Sequence, residues 1–277
     1  MAEPQTKAVS KLPKPRDVLL IPRFVGKDAE RIRKNGPRSG RDEIFEQNWL
    51  WGQQWQTHDP VNRVVLELPF GAELGTFELA LRIAAATARN DKDILLLTGH
   101  GASATGFFGQ SAFNTLPERG KMATHKHLIT AEVINLPNRA DRVNGRWVAR
   151  KGTATDEQAQ IDRLAPRFDL LERVGVVFRA HKVRSFIVLS CNVGNDTVFM
   201  SALAKLLGVK VKMYQQLLAM GVDSFTRPKE IKVLAWLAPA GADPSATRPN
   251  LTLPDGTFDR NHSQFHNPPP GLVSRSP

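Results

Sequence analysis

Two residues of this 277-residue chain have the types and the settings that support covalent chemistry. His100 follows the apolar run Ile94-Leu95-Leu96-Leu97-Thr98-Gly99, and Cys191, the only cysteine, follows Phe186-Ile187-Val188-Leu189-Ser190. An imidazole beside a thiol is what a cysteine nucleophile requires, because the base takes the S–H proton while the sulfur attacks a carbonyl carbon. Each residue alone has a plainer reading. A cysteine at a buried strand end often serves as a small hydrophobe, and a histidine as a satisfied core group. Their shared position at strand ends is the informative feature.

The elements around them set that position. Short continuous apolar runs bounded by polar and glycine residues read as strands buried on both faces of a parallel sheet, whose ligands collect outside the carboxyl ends of the strands. Asp93 heads the first run and Arg184 the second. Val61 to Phe70 reads as a strand, Phe77 to Asn90 as an alanine-rich helix and Ile94 to Thr98 as the next strand, a βαβ unit that implies a right-handed crossover. Ile161 to Val177 is helical by spacing. After Cys191, Asn195, Asp196 and Thr197 offer N-caps for a helix through Leu207, which Gly208 terminates. Val209 to Tyr214 and Ile231 to Trp236 complete about five strands. The predicted fold is α/β, a mostly parallel sheet of about five strands sandwiched by helices. Between Ala102 and Gln160 lies an inserted region with a hairpin at Val143-Asn144-Gly145-Arg146, since Asn-Gly supplies the positive φ values of a type I′ turn.

Composition divides the chain into three parts. Residues 1–41 hold eleven Lys or Arg against four acids, so seven of the eleven net positive charges lie there. Such an arm binds polyanions through counterion release, or is simply solvated; no recognised nucleic-acid motif accompanies it. Glu43 to Trp55 follows as an amphipathic helix whose tryptophans read as burial anchors. Proline-rich residues 242–277 read as an extended tail. The expected organisation is 1–58 as basic arm plus Trp-rich helix, 59–240 as the α/β domain and 241–277 as tail. One cysteine excludes an intramolecular disulfide, and no apolar segment is long enough to span a membrane. The first residues lack the apolar stretch of a secretory signal. The expected location is therefore the cytoplasm, or outside it by a route without a cleavable signal.

The two strand-end motifs, Leu95-Leu96-Leu97-Thr98-Gly99-His100-Gly101 and Ile187-Val188-Leu189-Ser190-Cys191, resemble those of the caspase-like cysteine peptidases of clan CD. Leu189-Ser190-Cys191-Asn192-Val193-Gly194, followed by a helix and Leu-Gly-Val-Lys-Val, looks particularly like bacterial caspase-like domains of large surface and effector proteins. The resemblance covers about residues 61–236. It implies a caspase-hemoglobinase-like fold and a cysteine endopeptidase acting on a protein or peptide through a thioester. In that reading His100 and Cys191 form the dyad, and the N–H groups of Gly101 and Cys191 are the oxyanion donors. The nearness of Cys191 to a helix N-terminus predicts a lowered thiol pKa.

The chain also departs from the family. Leu189 stands where metacaspase-like members carry an acid, and Leu189-Ser190 where caspases carry Gln-Ala. Glu67, Glu73 and Asp196 are the acids placed to recognise a basic substrate side chain, each with a plainer reading as solvated loop or helix cap. His125 and His127 could join His100 and Cys191 around zinc, but without a second cysteine they read as a surface pair, and neither metal nor cofactor is expected. The insertion, with Lys121, Arg139, Arg142, Arg146, Arg150 and Lys151, reads as a basic surface loop, alternatively as a lid or self-cleavage loop. Two other functions stay open, a catalytically silent caspase-like binding module and a polyanion-binding protein acting through its arm. Oligomeric state is left unassigned.

Overall fold

The computed structural model describes residues 13–23, 27, 30, 31, 34, 40–69, 73–97, 101, 102, 106–108, 128–150, 156–191, 193–226, 229–239 and 241–277. In chain order the elements are β1 (Asp17–Arg23), α1 (Gly40–His58), β2 (Arg63–Pro69), α2 (Leu74–Thr87) and β3 (Asp93–Leu97). Short strands β4 (Gly101–Ala102), β5 (Gly106–Phe108) and β6 (Leu128–Ile129) follow, then α3 (Ala131–Ile134), α4 (Leu136–Arg139), β7 (Ala140–Val143), β8 (Arg146–Ala149) and α5 (Glu157–Ala180). The chain continues through β9 (Ser185–Leu189), α6 (Thr197–Leu207), β10 (Lys210–Tyr214), β11 (Leu217–Thr226), β12 (Lys229–Ala238) and β13 (Leu272–Arg275).

The protein is α/β, with a central six-stranded sheet in the order β2-β1-β3-β9-β10-β13. The first five of these strands are parallel and β13 is antiparallel. Every residue of β3 and of β9 is buried, as continuous apolar runs covered on both faces should be. On one face Ile94, Leu96, Phe186 and Val188 pack with side chains of α2, α5 and α6. On the other, Leu95, Leu97, Ile187 and Leu189 pack with Trp51 and Trp55 of α1 and Val233 and Ala235 of β12.

Polar groups at the amino end fix how β3 and β9 align. The Asp93 carboxylate accepts two hydrogen bonds from Arg184, at 2.8 and 2.6 Å, and a third from the Ser185 hydroxyl at 2.5 Å. The Asp93 N–H in turn donates to Asp17 Oδ1 of β1 at 2.9 Å. Burial pushes the Asp93 carboxyl up, but the bonds from Arg184 and Ser185 and nearby positive charge outweigh it and hold the pKa below the usual carboxylate value. The ladder then pairs Asp93 with Ser185 and Leu97 with Leu189, so the two strands end level.

The helices carry the end signals their sequences announced. Asp196 caps α6 by accepting the Phe199 N–H at 2.8 Å, and Gly208 ends it at φ 68°. Gly175 lets α5 meet α6, since a Cβ there would lie 2.5 Å from the Leu206 carbonyl oxygen. The Asn144-Gly145 hairpin forms as β7–β8, with φ 49° and 80° at the turn.

Other elements fall outside the expected boundaries. The predicted basic arm, 1–58, contributes β1, which lies between β2 and β3 inside the sheet, and α1, which buries Trp51 and Trp55. The predicted tail, 241–277, supplies β13 at the other edge, where Tyr214 donates its hydroxyl hydrogen to the Pro269 carbonyl at 2.8 Å. The central layer thus reaches beyond 59–240 at both ends. β1 contains Pro22 and β13, four residues long, follows a run of prolines, so neither reads as a core strand. Conversely, the strand read at Ile231 to Trp236 is not part of the sheet: it belongs to β12, which pairs only with β11 in a hairpin lying across the α1 side.

Replacing Asp93 by Ala strands the Arg184 guanidinium and the Ser185 hydroxyl, at an expected cost of about 2–4 kcal/mol in urea unfolding. Because the folded pKa of Asp93 is depressed, the stabilisation is present above the unfolded value of about 4 and is lost as pH falls through the folded value. Wild type and Asp93→Ala should therefore converge in stability in strong acid. An undiminished gap there would show that the carboxylate charge is not what matters.

Candidate active site

The chain runs from β1 to β2 on one side and then places β3 on the other side of β1, so strand order reverses between β1 and β3. A crevice opens outside the carboxyl ends of the strands at such a switch point. Leu97 and Leu189 are paired residues at the ends of neighbouring strands on this edge. His100, three positions beyond Leu97, lies outside the described residues, as do Thr98 and Gly99.

Beyond Leu189 the chain is firmly held. Ser190 is buried, and among the described residues its Oγ has no hydrogen-bond partner. Gly194 permits close passage, because a Cβ would lie 2.9 Å from the Tyr214 carbonyl group. Asn195 donates its amide to Gln215 O at 3.0 Å, and Gln215 donates back to Gly194 O at 3.4 Å, tying this loop to the end of β10. Cys191 is half-buried and donates its S–H to the Leu218 carbonyl at 3.5 Å.

This setting reverses one expectation. Burial pushes the Cys191 thiol above its ordinary value, where nearness to a helix N-terminus had predicted a lower one. The reason is spatial. A 3-10 turn, Val193–Asn195, separates Cys191 from α6, and the helix's first-turn N–H of Phe199 is taken by the Asp196 carboxylate.

The other sequence-derived residues are spread out. Gly101 lies in β4, paired with Phe107 of β5 in a separate small sheet. Glu67 sits near the end of the edge strand β2, and its carboxylate accepts from Arg23 at 2.7 Å while the Arg23 guanidinium covers the Trp49 ring at 3.8 Å. Glu73 is exposed at the start of α2, with no side-chain bond into the helix end. Asp196 is the α6 cap, as its plainer reading held. The three acids thus stand in separate local settings: Glu67 is paired with Arg23, Glu73 is exposed before α2 and Asp196 caps α6. His125 and His127 lie outside the described residues, among which no group of three His, Cys, Asp or Glu side chains forms a metal cluster. Sequence reasoning missed Leu218, whose carbonyl meets the thiol from β11; a backbone acceptor 27 residues further on leaves no local signal.

Of the described residues, no helix is long and apolar enough to cross a membrane. Comparison of the chain with family models, with curated proteins and with solved structures finds no match.

Two outcomes follow from this geometry. Iodoacetamide should alkylate Cys191 more slowly than free cysteine near neutral pH, with a rate still rising above pH ~8.5, because the thiolate forms only above the ordinary thiol value. A rate plateau below that pH would contradict the buried, neutral thiol. Asp196→Ala should lower stability by about 1 kcal/mol through loss of the cap, read by urea unfolding. No loss of stability would remove the capping role.

Proposed function

We propose that this chain is a cysteine-dependent hydrolase, acting as a caspase-like endopeptidase with Cys191 as nucleophile and His100 as its base. One observation carries the reading: β3 and β9 are adjacent and parallel with Leu97 opposite Leu189, so the reactive residues follow paired strand ends on one edge of the sheet. Because the thiol is held neutral, the reaction needs a base at the moment of attack. His100 would take the S–H proton as the sulfur adds to the scissile carbonyl carbon. The N–H groups of Gly101 and Cys191 would stabilise the oxyanion. Collapse expels the amine, which receives the proton from His100, and leaves a thioester. Water, activated by the same imidazole, then releases the carboxylic acid and returns the proton to sulfur. The substrate carbonyl would displace the Leu218 contact, since that carbonyl occupies the thiol in the resting protein.

A second reading has its own support. A thiol raised by burial and bonded to a backbone carbonyl is also the state of an inert cysteine, which favours a catalytically silent binding module of the same fold. Activity separates the two. On a peptide library, Cys191→Ala and His100→Ala should each lower kcat/KM at least about 10³-fold, with urea unfolding within about 1 kcal/mol of wild type. Hydrolysis that persists in Cys191→Ala, or a wild-type protein that cleaves nothing in the library, would overturn the hydrolase reading.

A further inference from the structure

A cavity lies where α1 meets β12 and the chain segment before β13. Its volume is about 490 Å³, and its polar lining includes Thr57, His58, Lys232, Arg260, Asn261 and His266. Leu50, Ile231 and Phe265 give it an apolar side. None of its described lining residues is acidic. The rings of His58 and His266 stack with centroids 3.6 Å apart and planes 8° from parallel. Two imidazoles in that arrangement repel when both are protonated.

A neighbouring group points the same way. The half-buried Arg63 guanidinium donates to Trp55 O at 3.1 Å, His266 O at 2.9 Å and Asn267 Oδ1 at 2.8 Å. All three acceptors are neutral, so a cation beside the stacked pair has no carboxylate bonded to it. Asp59, the residue after α1, is engaged by the Asn62 amide at 3.0 and 3.1 Å; it is the nearest acid to Arg63 and His58 and offsets part of their charge, as Asp17 does for Arg63. Burial first, and then the neighbouring His58, Arg63, Lys232 and His262, hold the His266 imidazole below its usual pKa. Positive charge from four separate elements thus converges on one donor-rich cavity.

We propose that this cavity binds a small phosphorylated ligand, with the phosphate among His58, Lys232, Arg260 and His266 and a ring or other apolar part against Leu50, Ile231 and Phe265. Its volume lies within the range of ordinary small-molecule sites. A dianion would offset the clustered cations. Binding would also clamp the C-terminal segment onto α1, since the cavity is built from both. The proposal is independent of Cys191.

Calorimetry on the full chain, with AMP, inorganic phosphate and adenosine as probes, tests it. AMP should bind at least about tenfold more tightly than adenosine, since a charge-assisted phosphate contact is worth that much. Inorganic phosphate should compete with AMP. Lys232→Gln/Arg260→Gln should weaken AMP by at least about tenfold with unchanged far-UV circular dichroism. Equal binding of AMP and adenosine, no binding of AMP at millimolar concentration, or full AMP affinity in the folded double variant would overturn the assignment.

Discussion

The pairing of Asp93 with Arg184 and Ser185 is the constraint on which the rest of the structure depends. Beyond their polar first residues, Asp93 and Ser185, strands β3 and β9 are apolar and buried on both faces, so a slip in register would exchange one buried apolar residue for another. In a half-exposed strand, alternation forbids such a slip, because it would turn the core face to water. Here alternation supplies no such protection. Polar groups at the amino end supply it instead: a buried carboxylate satisfied by two residues of the neighbouring strand and tied through its own N–H to β1. Moving β9 by one residue would leave that carboxylate buried without its partners. The level carboxyl ends of the two strands follow from the clamp at their heads.

How much of this was legible in the chain depends on the range of each interaction. The runs of β3 and β9, the Asp196 cap, the Gly208 stop and the Asn144-Gly145 turn are local signals, and each appears where its residues stand. Asp93 and Arg184 were visible as the heads of their runs, but their union is a fact of adjacency. β1 was hidden because Asp17–Arg23 contains Pro22 and lies within a basic, proline-punctuated segment, and β13 because Leu272–Arg275 has only four residues; partners far along the chain make both of them strands. The β11–β12 hairpin was hidden for another reason: Ile231 to Trp236 reads as a core strand equally well whether it joins the main sheet or a second layer. The same limit applies at the site, where Cys191 was identifiable by position while the Leu218 carbonyl that accepts its hydrogen bond was not.

The layer on the α1 side has a further consequence. Its tryptophans anchor α1 to the sheet, the Trp51 indole N–H donates to Gln264 O at 3.1 Å, and the Gln54 amide joins Val233 O to Phe265 O. The N-terminal helix, the hairpin and the C-terminal segment are thereby one hydrogen-bonded unit. One end of the hairpin meets the thiol through Leu218, and Lys232 of its other strand lines the cationic cavity. Both chemical features of this face rest on elements that a division of the chain at residues 59 and 240 would have separated.

The proposed dyad requires residue 100 to lie beside residue 191, beyond the level ends of β3 and β9. Because Cys191 is the only cysteine, His100→Cys gives a protein with two thiols, and a short bis-electrophile that fluoresces only when it bridges two sulfurs reads their proximity directly. The account predicts rapid intramolecular bridging in the monomer, weakened when Asp93→Ala is added. Two thiols that each react with a monofunctional reagent yet never bridge would contradict it.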